Sequence, residues 1–487
     1  MARARSGTEK TGAGAGKSVA GYGAGAGAGK SVAVIGGGWA GCAAAVELAA
    51  CGHQVTLLEA ARTLGGRARR VDTGRGRLDN GQHILLGAYA STLRLLKTVG
   101  IERKQALLTL PLQMRYPPGS GGIDFVAARW PAPLHLLGAL LRAKGMTLAD
   151  KMSLARFSTT ARWMDWQLHA DCSVSQLLER FDQTERLCRL LWRPLCLAAL
   201  NTPPERASAR IFLNVLRDSL GAKSSASDML LPRVDLSALF PLGAASFVER
   251  HGGVVKTGAK VTSLQQAGNS GGSGNGAWQV GVSGEAAGAV GGPAHFDGVV
   301  LAVPASQAAA LLEQLPAPGN CAMSAIVAQL TVFETEAITT CYLQYGTSVR
   351  LALPFFALID EPQAHQWGQF VFDRGQLDAS QAGLLAVVVS ASGEAAGLAQ
   401  PVLADAIARQ LAAVLRRPEL GTPLWFQVIT EKRATFACVP DLQRPANASG
   451  LPGLAIAGDY TASDYPATIE AAVRSGVLAA ASLWGGA

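Results

Sequence analysis

The stretch SVAVIGGGWAGCAAAVELAACGHQVTLLE occupies residues 31–59 of the chain. Ser31–Ile35 is a short apolar run, Ala40–Ala50 is built of small residues at helical length, and Gln54–Leu58 is a second apolar run. Strand, helix and strand at this spacing read as a parallel βαβ unit. Gly36, Gly38 and Gly41 lie at the first junction. A lone GxGxxG is weak evidence in a chain with 56 glycines. Here it has a strand before it, a helix after it, and Glu59 closing the next strand. Gly36 permits the tight turn, Gly38 lets the backbone approach a pyrophosphate, and Gly41 lets the helix pack closely on the strand. The helix start at Trp39 and Ala40 presents free amides to negative charge. Glu59 can accept hydrogen bonds from a ribose and disfavours a 2′-phosphate. The stretch is read as a dinucleotide site, the alternative being a tight structural turn.

Two further segments extend this site. Arg62-Thr-Leu-Gly65-Gly66-Arg67 follows the second strand, and a glycine pair flanked by arginines suits a ligand longer than NAD; alone, it would read as a solvated basic turn. Near the C-terminus the strand Leu454–Ala457 runs into Gly458-Asp459, and Thr468-Ile469-Glu470 opens a last helix, Thr468–Leu483. A carboxylate at a strand end can bind ribityl hydroxyls, and a second helix start can face phosphates or a flavin edge. Together these segments point to FAD.

The remaining sequence bounds the organisation. At 487 residues the chain is too long for one ordinary core. Only 16% of its residues are charged. No run of 18 apolar residues occurs, so no spanning helix is expected. The formal charge of +8 raises nucleic acid as a partner. However, Arg3, Arg5, Lys10, Lys17 and Lys30 stand against Glu9 alone, so half of the excess lies in residues 1–30, and no nucleic-acid partner is expected. The eight cysteines form no CxxC pair or close cluster, which reads as reduced core residues without a metal site. The expected location is cytoplasmic, either free or seated peripherally on the inner face of the membrane.

The fold class is α/β with α+β insertions. It comprises a Rossmann-like FAD-binding domain split between N- and C-terminal segments, a mixed substrate domain and a helical subdomain. The expected division is a disordered Gly/Ala-rich tail at 1–30, FAD-binding segments at 31–90, 246–310 and 446–487, a largely helical substrate- or membrane-facing domain at 91–245, and a substrate domain at 311–445. Residues 268–292 read as a flexible hairpin tip, in which Trp278 and Val280 can form a short strand. Gly253–Leu264 and Phe296–Val303 are expected as strands and Ala305–Leu315 as a helix.

The glycine fingerprint, the LGGR element, Asp79-Asn80-Gly81-Gln82-His83 and the terminal GDY…TIEAAVRSG together resemble the amine-oxidase and phytoene-desaturase group of FAD enzymes. That resemblance implies that Gly81, Gln82 and His83 pass beside the isoalloxazine ring, and that the backbone of Val261 touches the adenine. Leu78–Tyr89, Leu191-Trp-Arg-Pro-Leu195, Ala199-Leu-Asn-Thr-Pro203 and Phe370-Val-Phe-Asp-Arg374 narrow it to a resemblance to the hydroxysqualene dehydroxylases. These are bacterial enzymes of the squalene route to hopanoids.

The resemblance implies reductive removal of an allylic hydroxyl from a C30 isoprenoid alcohol. An acid must assist the leaving hydroxyl, a reduced flavin must supply hydride, and water must be kept out. His83 is the first candidate acid, the alternative being a ring that merely packs against the cofactor; Asp373 and Tyr89 follow. An external reductant is expected, since no second nucleotide fingerprint stands out. Residues 131–166 combine Leu134, Leu136, Leu137, Leu140 and Leu141 with Arg142, Lys144, Lys151, Arg156 and Arg162, and Trp130, Trp163 and Trp166 add aromatic anchors. They read either as an interfacial helix pair or as ordinary capping helices. Other readings of the chain are a carotenoid-type desaturase, an amine oxidase, or a non-redox escort for prenyl lipids.

Overall fold

The structure, a computed structural model, describes residues 29–128, 130, 134–221, 224–266, 278–283, 294–315 and 321–484. The tail up to residue 28 and most of the glycine-rich stretch at 268–292 therefore lie outside the described residues, as do Pro131 and the side chains of Leu134 and Leu136.

A five-stranded parallel sheet gathers strands from across the chain. In spatial order these are Val254–Thr257, Gln54–Glu59, Ser31–Ile35, Gly298–Leu301 and Leu454–Ile456. Val32 pairs in register with Val55 on one side and with Gly298 on the other. The central strands are apolar on both faces because both are covered: Val32 and Val34 pack against helices, and Ala33 and Ile35 cluster with Leu264, Trp278, Val280 and Phe296 of the three-stranded antiparallel sheet; Val32, Ala33 and Val34 are fully buried.

Glycine sets how closely those helices pack. Helix Trp39–Ala50 lies against the C-terminal helix Ile469–Ser482. A Cβ on Gly41 would sit 1.9 Å from the Gly36 carbonyl oxygen, and one on Gly476 would sit 2.1 Å from that of Ala40. The two ends of the chain are thus locked together on one side of the sheet. Lys30, which the sequence assigns to the tail, is placed: its ammonium lies 4.3 Å from the centre of the Trp484 ring.

Two long strand expectations are each broken in two. At Gly258 (φ +67°) the chain leaves the parallel sheet, so that Val254–Thr257 and Lys260–Gln266 belong to different sheets. At Asp297 the carboxylate accepts from the Ser31 amide and hydroxyl, both at 2.8 Å, and separates Ala294–Phe296 from Gly298–Leu301. Trp278–Ser283 is the centre strand of a three-stranded antiparallel sheet rather than a hairpin tip. Its Trp278 ring is fully buried.

A second five-stranded, antiparallel sheet carries Phe355–Ala357, Phe370–Asp373, Leu384–Ser390, Thr335–Gln344 and Trp425–Phe436. Helix Gln400–Leu415 packs against Thr335–Gln344 and Trp425–Phe436. Residues 91–245 are less purely helical than expected, because they also hold Leu107–Leu110, Gln113–Arg115, Asp124–Val126 and Met229–Pro232 as strands. These strands are three or four residues long, too short for a period to register. Two π-helical turns, Cys188–Trp192 and Arg217–Gly221, interrupt the helices of this region.

Gly476→Val should lower the unfolding free energy by about 1–3 kcal/mol, the cost of overpacking. Gly393→Ala, where a new Cβ meets nothing within 4 Å, should leave it within about 0.5 kcal/mol. Denaturant titrations of the two variants provide the check.

Candidate active site

The turn after the first strand is formed as the glycines require. Gly36 has φ +104°, and a Cβ there would lie 2.4 Å from the Ala302 carbonyl oxygen. The Glu59 carboxylate accepts from the Gly37 amide at 2.5 Å and the Ala61 amide at 2.7 Å. It holds the turn in place and keeps lone pairs free for a further donor. The second glycine pair, Gly65 (φ +118°) and Gly66 (φ +60°), folds over the first, with the Gly65 amide donating to the Gly37 carbonyl at 2.8 Å. Around Gly38 there is open space: the nearest atom to a Cβ built there is the Gly66 Cα, at 3.8 Å. No side chain caps the helix that Gly38 starts, and no acidic residue occupies its first turn. Two glycine loops and an uncapped helix N-terminus form a cradle for a phosphate group.

Trp39 enters this cradle with its backbone only. Its ring is buried against Phe240, 5.2 Å between centroids, and its Nε1 donates to the Ala68 carbonyl at 2.9 Å. Gly41 is a packing residue behind the cradle and does not line it.

Arg67 links the beginning and end of the chain. Its Nη2 lies 2.5 Å from Asp459 Oδ1, and its Nη1 donates to the Ala434 carbonyl at 2.9 Å. Asn80 holds the following segment, accepting from the Arg69 amide and donating to the Arg67 carbonyl. Beside it, Gln82 donates to the Tyr342 hydroxyl at 2.8 Å and accepts from Arg374 at 3.0 Å. The motifs around residues 79–83 and 370–374 thus meet in space.

These parts open onto one continuous cavity of about 1320 Å³. Single-ligand pockets run to about 1,000 Å³, so this one has room for two ligands. Gly36, Gly38, Trp39, Ala40, Glu59, Gly65, Gly66, Arg67, Val261, Gly458, Asp459, Thr468, Ile469 and Glu470 line it at the nucleotide-like end. Gly81, Gln82, His83 and Tyr89 also line it. Elsewhere its walls are largely apolar, supplied by Leu112, Met114, Phe125, Leu140, Phe157, Trp166, Leu191, Trp192, Phe370 and Phe372, with Ser158, Arg162, Asn201, Ser219 and Thr435 among them. Both π-helical turns reach this wall, through Leu191 and Trp192 and through Asp218 and Ser219. Such turns recur at functional sites. Ala302, Val303, Tyr460 and Asn80 line the cavity as well, and the sequence reading missed them. The adjacency of Val303 and Tyr460 to the predicted strand ends was the available signal.

Three expectations are corrected. Asp373 does not line the cavity. Along Phe370-Val371-Phe372-Asp373 the side chains alternate, so Phe370 and Phe372 face the cavity and Val371 and Asp373 the other side. The Asp373 carboxylate instead accepts from the Leu351 amide and the Gln376 side chain, both at 2.8 Å, and braces a turn. Glu470 lines the cavity, but its carboxylate caps another helix: it accepts from the Ser91 and Thr92 amides and the Thr92 hydroxyl, and pairs with Arg474 at 3.0 Å. His83 is held as the neutral imidazole, with no second proton to give. Burial lowers its pKa, and its Nδ1 lies 3.1 Å from the Gly81 carbonyl. A carbonyl only accepts, so Nδ1 carries the proton and Nε2 is left as an acceptor.

The family model for flavin-containing amine oxidoreductases matches residues 39–483. The chain belongs to that family. It is 30% identical to a hydroxysqualene dehydroxylase of Rhodopseudomonas palustris over 468 residues, covering 92% of this chain and 96% of that one. It is 28% identical to the hydroxysqualene dehydroxylase of Sinorhizobium fredii, with the same two shares. Among solved structures, an oxidoreductase from Methanosarcina mazei superposes with a TM-score of 0.65 at 15% identity, covering 92% of this chain and 99% of that one. Like the rest of its family, the protein is an FAD-dependent oxidoreductase, not a non-redox escort. The uncapped, glycine-lined cradle has the donors and the space that FAD requires.

The Asp79 carboxyl, at the head of the 79–83 segment, is pushed up to about 6 by burial, against the opposing effects of the Leu236 amide and Arg374. A folded pKa above the ordinary value near 4 means the fold favours the neutral acid. Its cost is absent below about pH 4, grows through the window from 4 to 6, and reaches roughly 2–3 kcal/mol above that. Asp79→Asn keeps an acceptor for Leu236 and should remove this fall. The difference in unfolding free energy between variant and wild type should therefore rise across that window and level off at neutral pH.

Proposed function

We propose that the protein reductively removes the allylic hydroxyl of hydroxysqualene to give squalene, in the squalene route to hopanoids. The observation that carries this reading is the single cavity that runs from a phosphate cradle into a long apolar wall. The share of chain common to the hydroxysqualene dehydroxylases supports it. When bound and reduced, FAD supplies a hydride to the carbon whose C–O bond breaks, the hydroxyl leaves as water after gaining a proton, and the cofactor ends oxidised.

The chain's residues divide the remaining tasks. The amides of Gly38, Trp39 and Ala40 would hold the pyrophosphate, Glu59 a ribose, the backbone of Val261 the adenine, and Asp459, fixed by Arg67, the ribityl hydroxyls. Gly81, Gln82, Thr468 and Ile469 would line the flavin. Phe157, Trp166, Trp192, Phe370 and Phe372 exclude water from a developing allylic cation. With His83 left as an acceptor and Asp373 off the cavity, Tyr89 is the remaining donor among the three candidates. Burial, and then Glu470, raise its phenol pKa, which keeps it protonated. An external reductant returns the flavin to its reduced state.

The substrate is insoluble in water, and the cavity reaches the surface where a lipid could enter. Leu137, Thr159 and Arg162 both line the cavity and are exposed. Around them Trp130, Leu141, Leu148, Met152 and Trp163 stand out from the surface, Trp163 being 86% exposed. Arg142, Lys144 and Arg156 add positive charge on the same stretch. No described helix is long and apolar enough to cross a membrane. Aromatic, aliphatic and basic residues in this arrangement suit peripheral seating on an anionic bilayer.

Anaerobic incubation of reduced holoenzyme with hydroxysqualene should yield squalene, whereas phytoene and simple amines should be left unchanged. Turnover of either of those instead would replace this reading with the desaturase or amine-oxidase one. In a flotation assay the protein should rise with anionic liposomes, and a Leu141→Asp, Trp163→Asp variant should stay in the dense fraction. Wild-type protein that also stays there would remove the membrane seat.

A further inference from the structure

Five carboxylates line the cavity: Glu59, Asp218, Glu431, Asp459 and Glu470. Glu59, Asp459 and Glu470 are engaged at the nucleotide-like end or in a helix cap, as described above. Glu431 accepts from the Arg433 amide at 3.3 Å on its own strand. Asp218 differs, because it enters from the helical wall on the π-helical turn Arg217–Gly221. Its Oδ1 accepts from Arg217 Nε at 2.8 Å, and its Oδ2 accepts from the Tyr465 hydroxyl. Tyr465 lies three residues before Thr468, on the segment that returns to the nucleotide-like end. The Arg474 guanidinium lies 4.6 Å from the centre of its ring. Asn214, on helix Ala209–Leu216, ties the two segments of this corner together by donating to the Asp464 carbonyl at 3.2 Å.

The hydrogen-bonding inventory of Asp218 itself has one sign. A carboxylate has about four lone-pair positions, of which Arg217 and Tyr465 take two. The Tyr465 proton is already given to Asp218. Toward the cavity Asp218 therefore offers acceptors and no donor, on a wall it shares with Val215, Leu216, Ser219 and Arg474. An apolar chain gains nothing from such a group, and covering it without a partner is unfavourable. A hydroxyl group, which brings an O–H donor, satisfies it.

We propose that Asp218, held by Arg217 and Tyr465, is the site that recognises the substrate's hydroxyl group and distinguishes the alcohol from its hydrocarbon product. This inference rests on the proposed dehydroxylation and adds its specificity element. The substrate O–H donates to Asp218, which orients the C–O bond. Once the hydroxyl has left, the hydrocarbon covers the carboxylate without satisfying it, and product release is favoured. Asp218 and Tyr465 act here in positioning and specificity. No covalent step is assigned to them.

The test uses FAD-loaded protein and equilibrium binding of hydroxysqualene and squalene, read through perturbation of the flavin absorption spectrum. Wild type should prefer the alcohol by about 10- to 100-fold, the range for a hydrogen bond to a charged group. Asp218→Leu should lose that preference by weakening alcohol binding, with squalene affinity and FAD content unchanged. Asp218→Asn, which keeps an acceptor and guards against a folding artefact in the leucine variant, should restore most of it, and Tyr465→Phe should reduce it in part. Equal binding of alcohol and hydrocarbon by wild type would overturn the proposal, as would an unchanged preference in Asp218→Leu. Failure of the dehydroxylation reading is seen separately, as absence of squalene from the wild-type reaction.

Discussion

The structure depends on one close approach. Helix Trp39–Ala50 is pressed between the first strand and the C-terminal helix, with no room for a Cβ at Gly41 or Gly476. That contact brings residue 36 and residue 458 to the same edge of one sheet, although more than four hundred residues separate them in sequence. The Arg67–Asp459 pair then crosses the gap between them and accounts for two of the charges at the nucleotide-like end. Without the helix contact the phosphate cradle and the Gly458-Asp459 segment would not share one site.

From that edge the cavity passes through a change of solvent. At one end its groups are backbone amides, glycines and paired charges. At the other end the walls are leucine, phenylalanine and tryptophan from the helical region and from one face of the antiparallel sheet. At the nucleotide-like end the charges are engaged within the protein: Glu59 by the Gly37 and Ala61 amides, Arg67 by Asp459, and Glu470 by Ser91, Thr92 and Arg474. Asp218, held by Arg217 and Tyr465, and Tyr89 also reach the cavity.

What could be read from the sequence was local. Gly36, Gly38, Gly41 and Glu59 lie within 24 consecutive residues, and each is chosen by a backbone requirement that does not depend on the rest of the fold. The sheet itself was legible to that extent, and the C-terminal strand and helix were legible because Gly458-Asp459 and Thr468 punctuate them. Asp373 was misjudged although its strand alternates, because parity shows which residues share a face but not which face meets the cavity. His83 was misjudged because its basicity is set by burial and by the Gly81 carbonyl, neither of which a sequence displays. Glu470 failed for a related reason: its partners, Ser91 and Thr92, lie 378 or more residues away. The two π-helical turns leave no mark in residue type, yet one of them carries Asp218.

Hydride transfer from the flavin to the carbon that loses oxygen is the central claim, and isotope incorporation tests it most directly. Holoenzyme reduced with dithionite in heavy water carries exchangeable deuterium at the flavin, so a single turnover with hydroxysqualene should give squalene bearing one deuterium at the former carbinol carbon. Unlabelled squalene, or an eliminated polyene that has gained no hydrogen, would contradict the account.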